Sequence, residues 1–276
     1  MKKLSEVINQ YRQEHHAIPA FNIDTFEIFQ AIEAAVKETN LPCIVQLSAG
    51  EDAFIEAERL FLLVQKSRLN DLPIYLNMDH GNNISRLKQT LKLGFDMVHF
   101  DGSKLDLALN QLLAKDLVEY AHYFHSLVEV EFDAIHLVDN HDATVFTDPQ
   151  TAKKFVDTTR PDFFAVSIGN KHGAIDNQPE YINLELLKTI ATTLPDTYLT
   201  LHGGSGIDPH QVQQAIASGI VKININTDLR HAFRRSLNQA VTTINSEKAY
   251  ELMAPVVAAV KEVAKNKLLD FQALKL

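Results

Sequence analysis

Several features that would point to particular classes of protein are scarce or missing in this sequence. The chain has one cysteine, Cys43, which excludes an intrachain disulfide and is expected in the core because it lies in an apolar run. No stretch approaches the ~20 consecutive apolar residues of a membrane span. The first five residues are not followed by the apolar segment of a signal peptide. We therefore expect a soluble, cytoplasmic protein.

The chain also lacks an excess of positive charge. Its net charge is −9, so neither nucleic acid nor an anionic membrane surface is expected as a partner. An anionic substrate would have to be held by local hydrogen-bond donors, because the overall field of the protein repels it.

What the sequence does contain is a regular alternation of short apolar runs and longer segments with helical periodicity. It begins with an amphipathic helix over 2–15 and ends with a helical tail over 250–276. Helices over 25–39 and 51–67 are predicted after the first two strands. The eight predicted strands are 17–22, 43–47, 74–78, 96–100, 127–131, 163–167, 198–201 and 220–224.

Eight strand–helix units in 276 residues predict a closed (β/α)8 TIM barrel, an α/β fold with extra N- and C-terminal helices. We expect residues 1–276 to form one catalytic domain, although this length also suits two ordinary domains. An open doubly wound sheet is the alternative topology, but no Gly-x-Gly-x-x-Gly motif follows the first strand.

Three histidines occupy equivalent positions in this topology. His80, His172 and His202 each follow or end a different strand, and each precedes a glycine. The C-terminal strand ends of a barrel meet at one face, so three imidazoles there would make a zinc site with one open position. Taken singly, each is more often an ordinary packed histidine, and His99 is expected to be packed. The other polar residues predicted at this face are Asn22, Ser48, Asp79, Glu131 and Asn224.

The segments after the last two strands are candidates for a phosphate site. Residues 203–206 are rich in glycine, and Asp208-Pro209 has the features of a helix N-cap followed by the first helical residue. Backbone amides here, with the hydroxyls of Ser205 and Thr227, would supply donors. The alternative is that the glycines only form a turn and Thr227 only caps a helix.

Five motifs in order resemble the class II, zinc-dependent ketose-bisphosphate aldolases, which include the fructose- and tagatose-bisphosphate aldolases. They are DHG at 79–81, VEVE at 128–131, GNKHG at 169–173, LHGGSG at 201–206 and KININT at 222–227. FDGS at 100–103 and TDP at 147–149 fit the same pattern.

The resemblance implies a reversible cleavage of a phosphorylated ketose into dihydroxyacetone phosphate and an aldehyde such as glyceraldehyde 3-phosphate. His80, His172 and His202 would bind Zn²⁺, and Glu131 would join them as the ion shifts. Asp79 would exchange the proton of the C4 hydroxyl, the alternative being that it orients His80. The implied substrate-binding residues are Asn22, Ser48, Gly173, Gly203, Ser205, Asn224, Asn226 and Thr227. A monovalent cation, Na⁺ or K⁺, and a homodimer or homotetramer are further implications.

Two departures from the family pattern concern the substrate. The family has a glycine-rich loop with a catalytic glutamate after the fifth strand, whereas residues 132–142 contain no glycine. Asp139 or Asp142 could replace that glutamate, or no residue does, and the sequence does not choose among these alternatives. Asn226 stands where many members have an acidic or small residue. The alternatives to an aldolase are a barrel metallohydrolase and a sugar-phosphate-binding homologue with impaired catalysis.

Overall fold

The computed structural model describes residues 1–133, 145–171 and 181–272. Eight parallel strands pair in sequence order, and the first also pairs with the last, so the sheet closes on itself. The predicted barrel is therefore confirmed. The strands are β1 (Ile18–Asn22), β2 (Cys43–Leu47), β3 (Ile74–Gly81), β4 (Met97–Asp101), β5 (Leu127–Glu131), β6 (Phe163–Val166), β7 (Tyr198–Leu201) and β8 (Ile220–Ile225).

Eleven helices surround this barrel in the described residues. They are α1 (Leu4–Gln13), α2 (Phe26–Thr39), α3 (Ala49–Ile55), α4 (Ala57–Arg68), α5 (Ile84–Leu93), α6 (Leu107–Tyr123), α7 (Pro149–Thr159), α8 (Leu184–Thr193), α9 (Pro209–Ala217), α10 (Thr227–Thr243) and α11 (Ala249–Asp270). Asp208 caps α9 by accepting from two backbone amides, and Pro209 is its first residue, as the sequence predicts.

The single helix predicted over 51–67 is wrong. Two helices, α3 and α4, meet at Glu56, whose backbone has the unusual φ of 69°. The side chain of Asp52 accepts a hydrogen bond from the amide of Ala57 at 2.8 Å, which caps the start of α4 locally. A side-chain-to-backbone contact thus accompanies the break, and the apolar periodicity of the segment does not reveal it.

The two extra helices cover different parts of the barrel. Leu4, Val7, Ile8 and Tyr11 of α1 pack on the residues that fill the barrel at the N-terminal ends of its strands. Helix α11 packs against α2 and α10 on the outside of the barrel. The C-terminal ends of the strands are left for the site described below. None of the helices in the described ranges has the length and apolar character needed to cross a membrane.

Candidate active site

One cavity opens at the C-terminal ends of the strands. Its lining consists entirely of residues that the sequence predicts at the site, contributed by five strands and the segments that follow them: Asn22, Ser48, Asp79, His80, Gly203, Ser205, Asn224, Asn226 and Thr227. The barrel topology brings these side chains together from positions more than 200 residues apart in sequence. His80 falls within β3 because this strand continues to Gly81, three residues beyond its predicted end.

Two imidazoles face each other beside this cavity. Nε2 of His80 lies 3.0 Å from Nδ1 of His202. Two nitrogen ligands on one tetrahedral zinc ion, each bound at about 2.0–2.1 Å, are about 3.3 Å apart. Burial also lowers the pKa of His202, which keeps the ring neutral, the form that binds a metal. The described pair therefore fits one shared cation.

The opposite nitrogen of each ring is close to a carboxylate. Nδ1 of His80 lies 3.3 Å from Oδ2 of Asp101, and Nε2 of His202 lies 2.7 Å from Oε1 of Glu129. Carboxylates in this position fix the ring orientation and place the proton away from the metal-binding nitrogen. Both rings thus have the outer support that metal-binding histidines normally have.

Asp79 is a buried carboxylate surrounded by amide donors. Asn22 and Gln46 donate to its Oδ2 at 3.2 and 3.0 Å. Asn224 donates to its Oδ1 at 3.1 Å. Burial alone would raise the pKa of Asp79, but His80 and the other nearby positive groups outweigh it and hold this pKa well below its ordinary value. Asp79 is therefore an ionised acceptor at neutral pH.

A fully buried ion pair lies beneath the histidines. Oε2 of Glu129 accepts hydrogen bonds from Nζ of Lys222 at 2.7 Å and from the hydroxyl of Thr200 at 2.9 Å. Burial disfavours the charged form of Glu129, but the lysine ammonium and nearby imidazoles hold its pKa far below the ordinary value. Neither Glu129 nor Lys222 was predicted to have a role in the site. Strand alternation was the available signal, because Glu129 shares a strand face with Glu131, and Lys222 shares one with Asn224.

His99 is buried as expected, but it also belongs to the histidine cluster. Ligand atoms of Asp79, His80, His99 and His202 all lie within 4.8 Å of one another. Burial lowers the pKa of His99, but the neighbouring carboxylates, Glu129 first, raise it to about 10. A divalent cation among the same carboxylates would oppose that protonation and favour the neutral ring. A second group that could hold a metal ion consists of His80, Asp101 and Glu131.

The glycine-rich segment after β7 packs tightly. Gly203 has a φ of +65°, and a Cβ atom added to it would lie 1.8 Å from the carbonyl oxygen of Lys171. Gly204 donates its amide to the carbonyl of Asn224 at 3.1 Å. These glycines are thus required by the turn itself, whatever ligand it binds. The alternative role for Thr227 is wrong, because the N-cap of α10 is Asn226 and Thr227 is the first helical residue.

Glu51 is a further buried carboxylate near the cavity, and it was not predicted at the site. Its Oε2 accepts from Asn22 at 2.9 Å and from the amide of Ser48 at 2.7 Å, and its Oε1 accepts from Arg230 at 2.9 Å. Burial raises the pKa of Glu51 to about 7. The Ser-x-x-Glu spacing of a capping box was its sequence signal.

Four predicted residues, His172, Gly173, Asp139 and Asp142, lie outside the described residues. The chain that leads to His172 contacts the site, because Asn170 donates to the carbonyl oxygen of His202 at 3.1 Å. Lys171 lies against Gly203, as described above.

The sequence matches the family model described as fructose-bisphosphate aldolase class-II over residues 2–275. It is 28% identical over 279 residues to a fructose-bisphosphate aldolase of Staphylococcus aureus strain Mu50, covering 97% of this chain and 96% of that protein. It is 32% identical over 248 residues to a fructose-bisphosphate aldolase of Mycoplasma pneumoniae, covering 86% and 84%. The crystal structure of the YdjI aldolase from Escherichia coli K12 superposes with a TM-score of 0.86 at 27% identity, covering 98% of this chain and 97% of that one.

Proposed function

Because this chain belongs to the class II fructose-bisphosphate aldolase family and is therefore a carbon–carbon lyase, we propose that it is a zinc enzyme acting on a phosphorylated ketose of the fructose or tagatose bisphosphate type. It would cleave this substrate reversibly into dihydroxyacetone phosphate and an aldehyde such as glyceraldehyde 3-phosphate. The observation that carries the proposal is the pair of imidazole nitrogens, 3.0 Å apart, each with a carboxylate behind its ring.

His80 and His202 would hold the zinc ion, with His172 as the third histidine ligand and Glu131 as a carboxylate that can join them. A zinc ion bound there supplies a Lewis acid that stabilises the negative charge left on the substrate when the C3–C4 bond breaks. The described side chains meet the requirement for such a site, because imidazole and carboxylate are ordinary zinc ligands and the outer nitrogens are already engaged.

Asp79 is proposed to accept the proton of the C4 hydroxyl during cleavage and to return it during condensation. Its low pKa keeps it ionised, and it lines the cavity together with His80. Three side-chain amides hold it in position, so its carboxylate is already oriented before substrate binds. No lysine Schiff base is needed in this scheme, and Lys222 is poorly suited to one because it is fully buried and paired with Glu129.

Asn224 and the segment after β7 are proposed to hold the dihydroxyacetone phosphate portion. The side-chain oxygen of Asn224 is buried and has no hydrogen-bond partner among the described residues, so it is available to a substrate hydroxyl. Gly173, Gly203, Ser205, Asn226 and Thr227 would surround the phosphate. The first turn of α10 begins at this cavity, and the positive end of its helix dipole would favour an anion there. Na⁺ or K⁺ would bind nearby. Asn22 and Ser48 would complete the lining.

The direct test is a panel of ketose 1-phosphates and 1,6-bisphosphates assayed for release of dihydroxyacetone phosphate. We expect a chelator to abolish cleavage and Zn²⁺ to restore it. Borohydride added with substrate should not inactivate the enzyme, because no imine is formed. Since residues 132–142 and Asn226 depart from the family pattern, the panel should include both fructose and tagatose bisphosphates.

The same assay separates the alternatives. Zinc-dependent release of inorganic phosphate without carbon–carbon cleavage would indicate a metallohydrolase. Binding of dihydroxyacetone phosphate without exchange of its protons with solvent would indicate a homologue that has lost catalysis. Either result would refute the proposed aldolase reaction.

A cytoplasmic location and a homodimeric or homotetrameric assembly remain proposals. Light scattering of the purified protein would give its mass relative to the 31.0 kDa chain. Cell fractionation of the producing organism would give its location.

A further inference from the structure

His99 lies on β4 at the level of the proposed metal ligands and is fully buried. Side chains alternate along a strand, so His99 shares a strand face with Met97 and Asp101. Met97 belongs to the cluster that fills the barrel, and Asp101 contacts His80. His99 therefore points into the barrel interior, between that core and the cation site.

The backbone of β3 is irregular directly opposite His99. Met78 pairs with Val98 and Gly81 pairs with Phe100, so β3 uses three residue steps where β4 uses two. His80 lies in the resulting bulge with a φ of +48°, a left-handed backbone conformation that residues other than glycine rarely adopt. The normal pairing of the two strands is interrupted at this point.

The ring of His99 compensates for that interruption. The backbone amide of His80 donates to Nδ1 of His99 at 3.1 Å. Buried amides need an acceptor, and here a side chain supplies the one that the strand ladder does not. The same contact fixes the backbone of His80, whose imidazole faces His202.

The other side of the ring faces a second proposed ligand. Nε2 of His99 lies 3.3 Å from Oε2 of Glu131. The His80 amide can donate only to an Nδ1 that carries no proton, so this contact requires a neutral ring with its proton on Nε2, the nitrogen that faces Glu131. Nδ1 also lies 3.4 Å from Oδ1 of Asp79. One buried side chain thus lies between the backbone of His80, which it contacts through a hydrogen bond, and the side chain of Glu131.

From these contacts we infer that His99 is a positioning residue of the metal centre: its Nδ1 holds the strained backbone of His80 so that the His80 imidazole is directed at the cation. This inference rests on the proposed function only in taking His80 as a metal ligand. His99 acts through His80 and does not itself bind the metal.

Three substitutions separate the roles of the two ring nitrogens. In His99→Asn the side-chain oxygen takes the approximate place of Nδ1 and can accept the His80 amide. In His99→Gln the polar end reaches instead toward the place of Nε2. In His99→Leu both polar atoms are removed. The dissociation constant for Zn²⁺ is measured by competition with a chromophoric chelator, and the visible absorption of the Co²⁺-loaded protein reports the geometry around the ion.

We expect His99→Leu and His99→Gln to weaken Zn²⁺ binding by about 10- to 100-fold, as is typical when a group that orients a ligand is lost. His99→Asn should remain within about threefold of the unmodified protein and keep its Co²⁺ spectrum. The Asn and Gln variants form a matched polar pair, so their comparison stands even if the leucine variant does not fold. Circular dichroism of each metal-free protein verifies the fold.

Two results would overturn the inference. If His99→Gln or His99→Leu bound Zn²⁺ as tightly as the unmodified protein, His99 would not position the site. If His99→Asn lost as much affinity as the other variants, His99 would act as a direct ligand or through Nε2. Failure of the proposed function is distinguishable from both, because the unmodified protein would then show no zinc-dependent cleavage.

Discussion

Asp79 illustrates how single residues of this barrel acquire their chemistry from neighbours that are distant in sequence. The carboxylate is held by amides from three other strands, and positive groups keep it ionised despite its burial. Its sequence neighbour His80 is a proposed metal ligand. A role in proton transfer and a role in orienting His80 therefore predict different consequences when the carboxylate is removed.

We predict that Asp79→Ala lowers kcat by about 10²–10⁴-fold, because a general base contributes about this much, while the dissociation constant for Zn²⁺ changes little. Single-turnover cleavage and chelator competition measure the two quantities. Asp101→Asn is the matched control, since Asp101 contacts the His80 ring and its loss should weaken zinc binding first. A large loss of zinc affinity in Asp79→Ala would instead favour the orienting role.

Glu51 gives a prediction on pH and stability. Burial raises its pKa to about 7 in the folded protein from an ordinary value of 4.5. The folded state then holds more protons than the unfolded state between these two values, so this group's contribution to stability decreases as pH rises through that window. The free energy of unfolding is measured with urea at pH 5 and at pH 8. We expect its fall between these two pH values to be smaller in Glu51→Gln than in the unmodified protein, by up to about 3 kcal/mol.

Glu58→Gln is the control for this measurement. Hydrogen bonds from Arg86 lower the pKa of Glu58 to about 2, so this carboxylate is ionised in both states throughout the range from pH 5 to pH 8. Its substitution should leave the pH dependence unchanged. If both substitutions changed the pH dependence of stability equally, the environment of Glu51 would not be its cause.

At the scale of elements, the sequence predicts best where apolar pattern and burial coincide. All eight strands were predicted, and β2, β5 and β7 have their predicted bounds, because buried parallel strands are short continuous apolar runs. The breaks at Glu56 and His80 were not predicted. Both have positive φ, and the contacts beside them, from Asp52 and from His99, carry no periodic signal.

The turn after β7 contributes Gly203 and Ser205 to the lining of the cavity. We predict that Gly203→Ala lowers the free energy of unfolding by about 1–3 kcal/mol, because the added methyl group meets a carbonyl oxygen at a positive φ. It should also weaken binding of dihydroxyacetone phosphate, measured by calorimetry. Gly50→Ala is the control. This helical glycine has open space around its Cβ position, so alanine there should stabilise by up to about 1 kcal/mol.

At the scale of the whole molecule, the packing of α1 and the proposed chemistry lie at opposite ends of the barrel. Helix α1 packs on the barrel interior at the N-terminal ends of the strands, and the proposed catalytic residues lie at the other ends. The sequence could place residues at the active face from strand order alone. Strand alternation places Glu129 and Lys222 on the inner face, but their pairing and the contact of His99 with the His80 amide depend on contacts between strands that the sequence does not show.

We predict that Ile8→Ala lowers the free energy of unfolding by about 2–4 kcal/mol, because the isoleucine is fully buried and its removal leaves a cavity. Turnover at saturating Zn²⁺ should stay within about twofold, since α1 does not line the catalytic cavity. Denaturant unfolding and the cleavage assay give the two values. Leu62→Ala, at an exposed helical position, should change neither by much. A parallel loss of turnover in Ile8→Ala would show that the two ends are coupled.

The pairing of Lys222 with Glu129 constrains how this protein can diverge over evolution. Losing either partner leaves a lone charge in the interior, which typically costs 3–5 kcal/mol, whereas a coordinated exchange of both for apolar residues is tolerated far better. Such an exchange would still deprive His202 of the carboxylate behind it. Descendants that keep the zinc chemistry are therefore expected to retain Glu129, Lys222 and His202 together. Loss of both Glu129 and Lys222 would indicate a descendant that no longer carries out this chemistry.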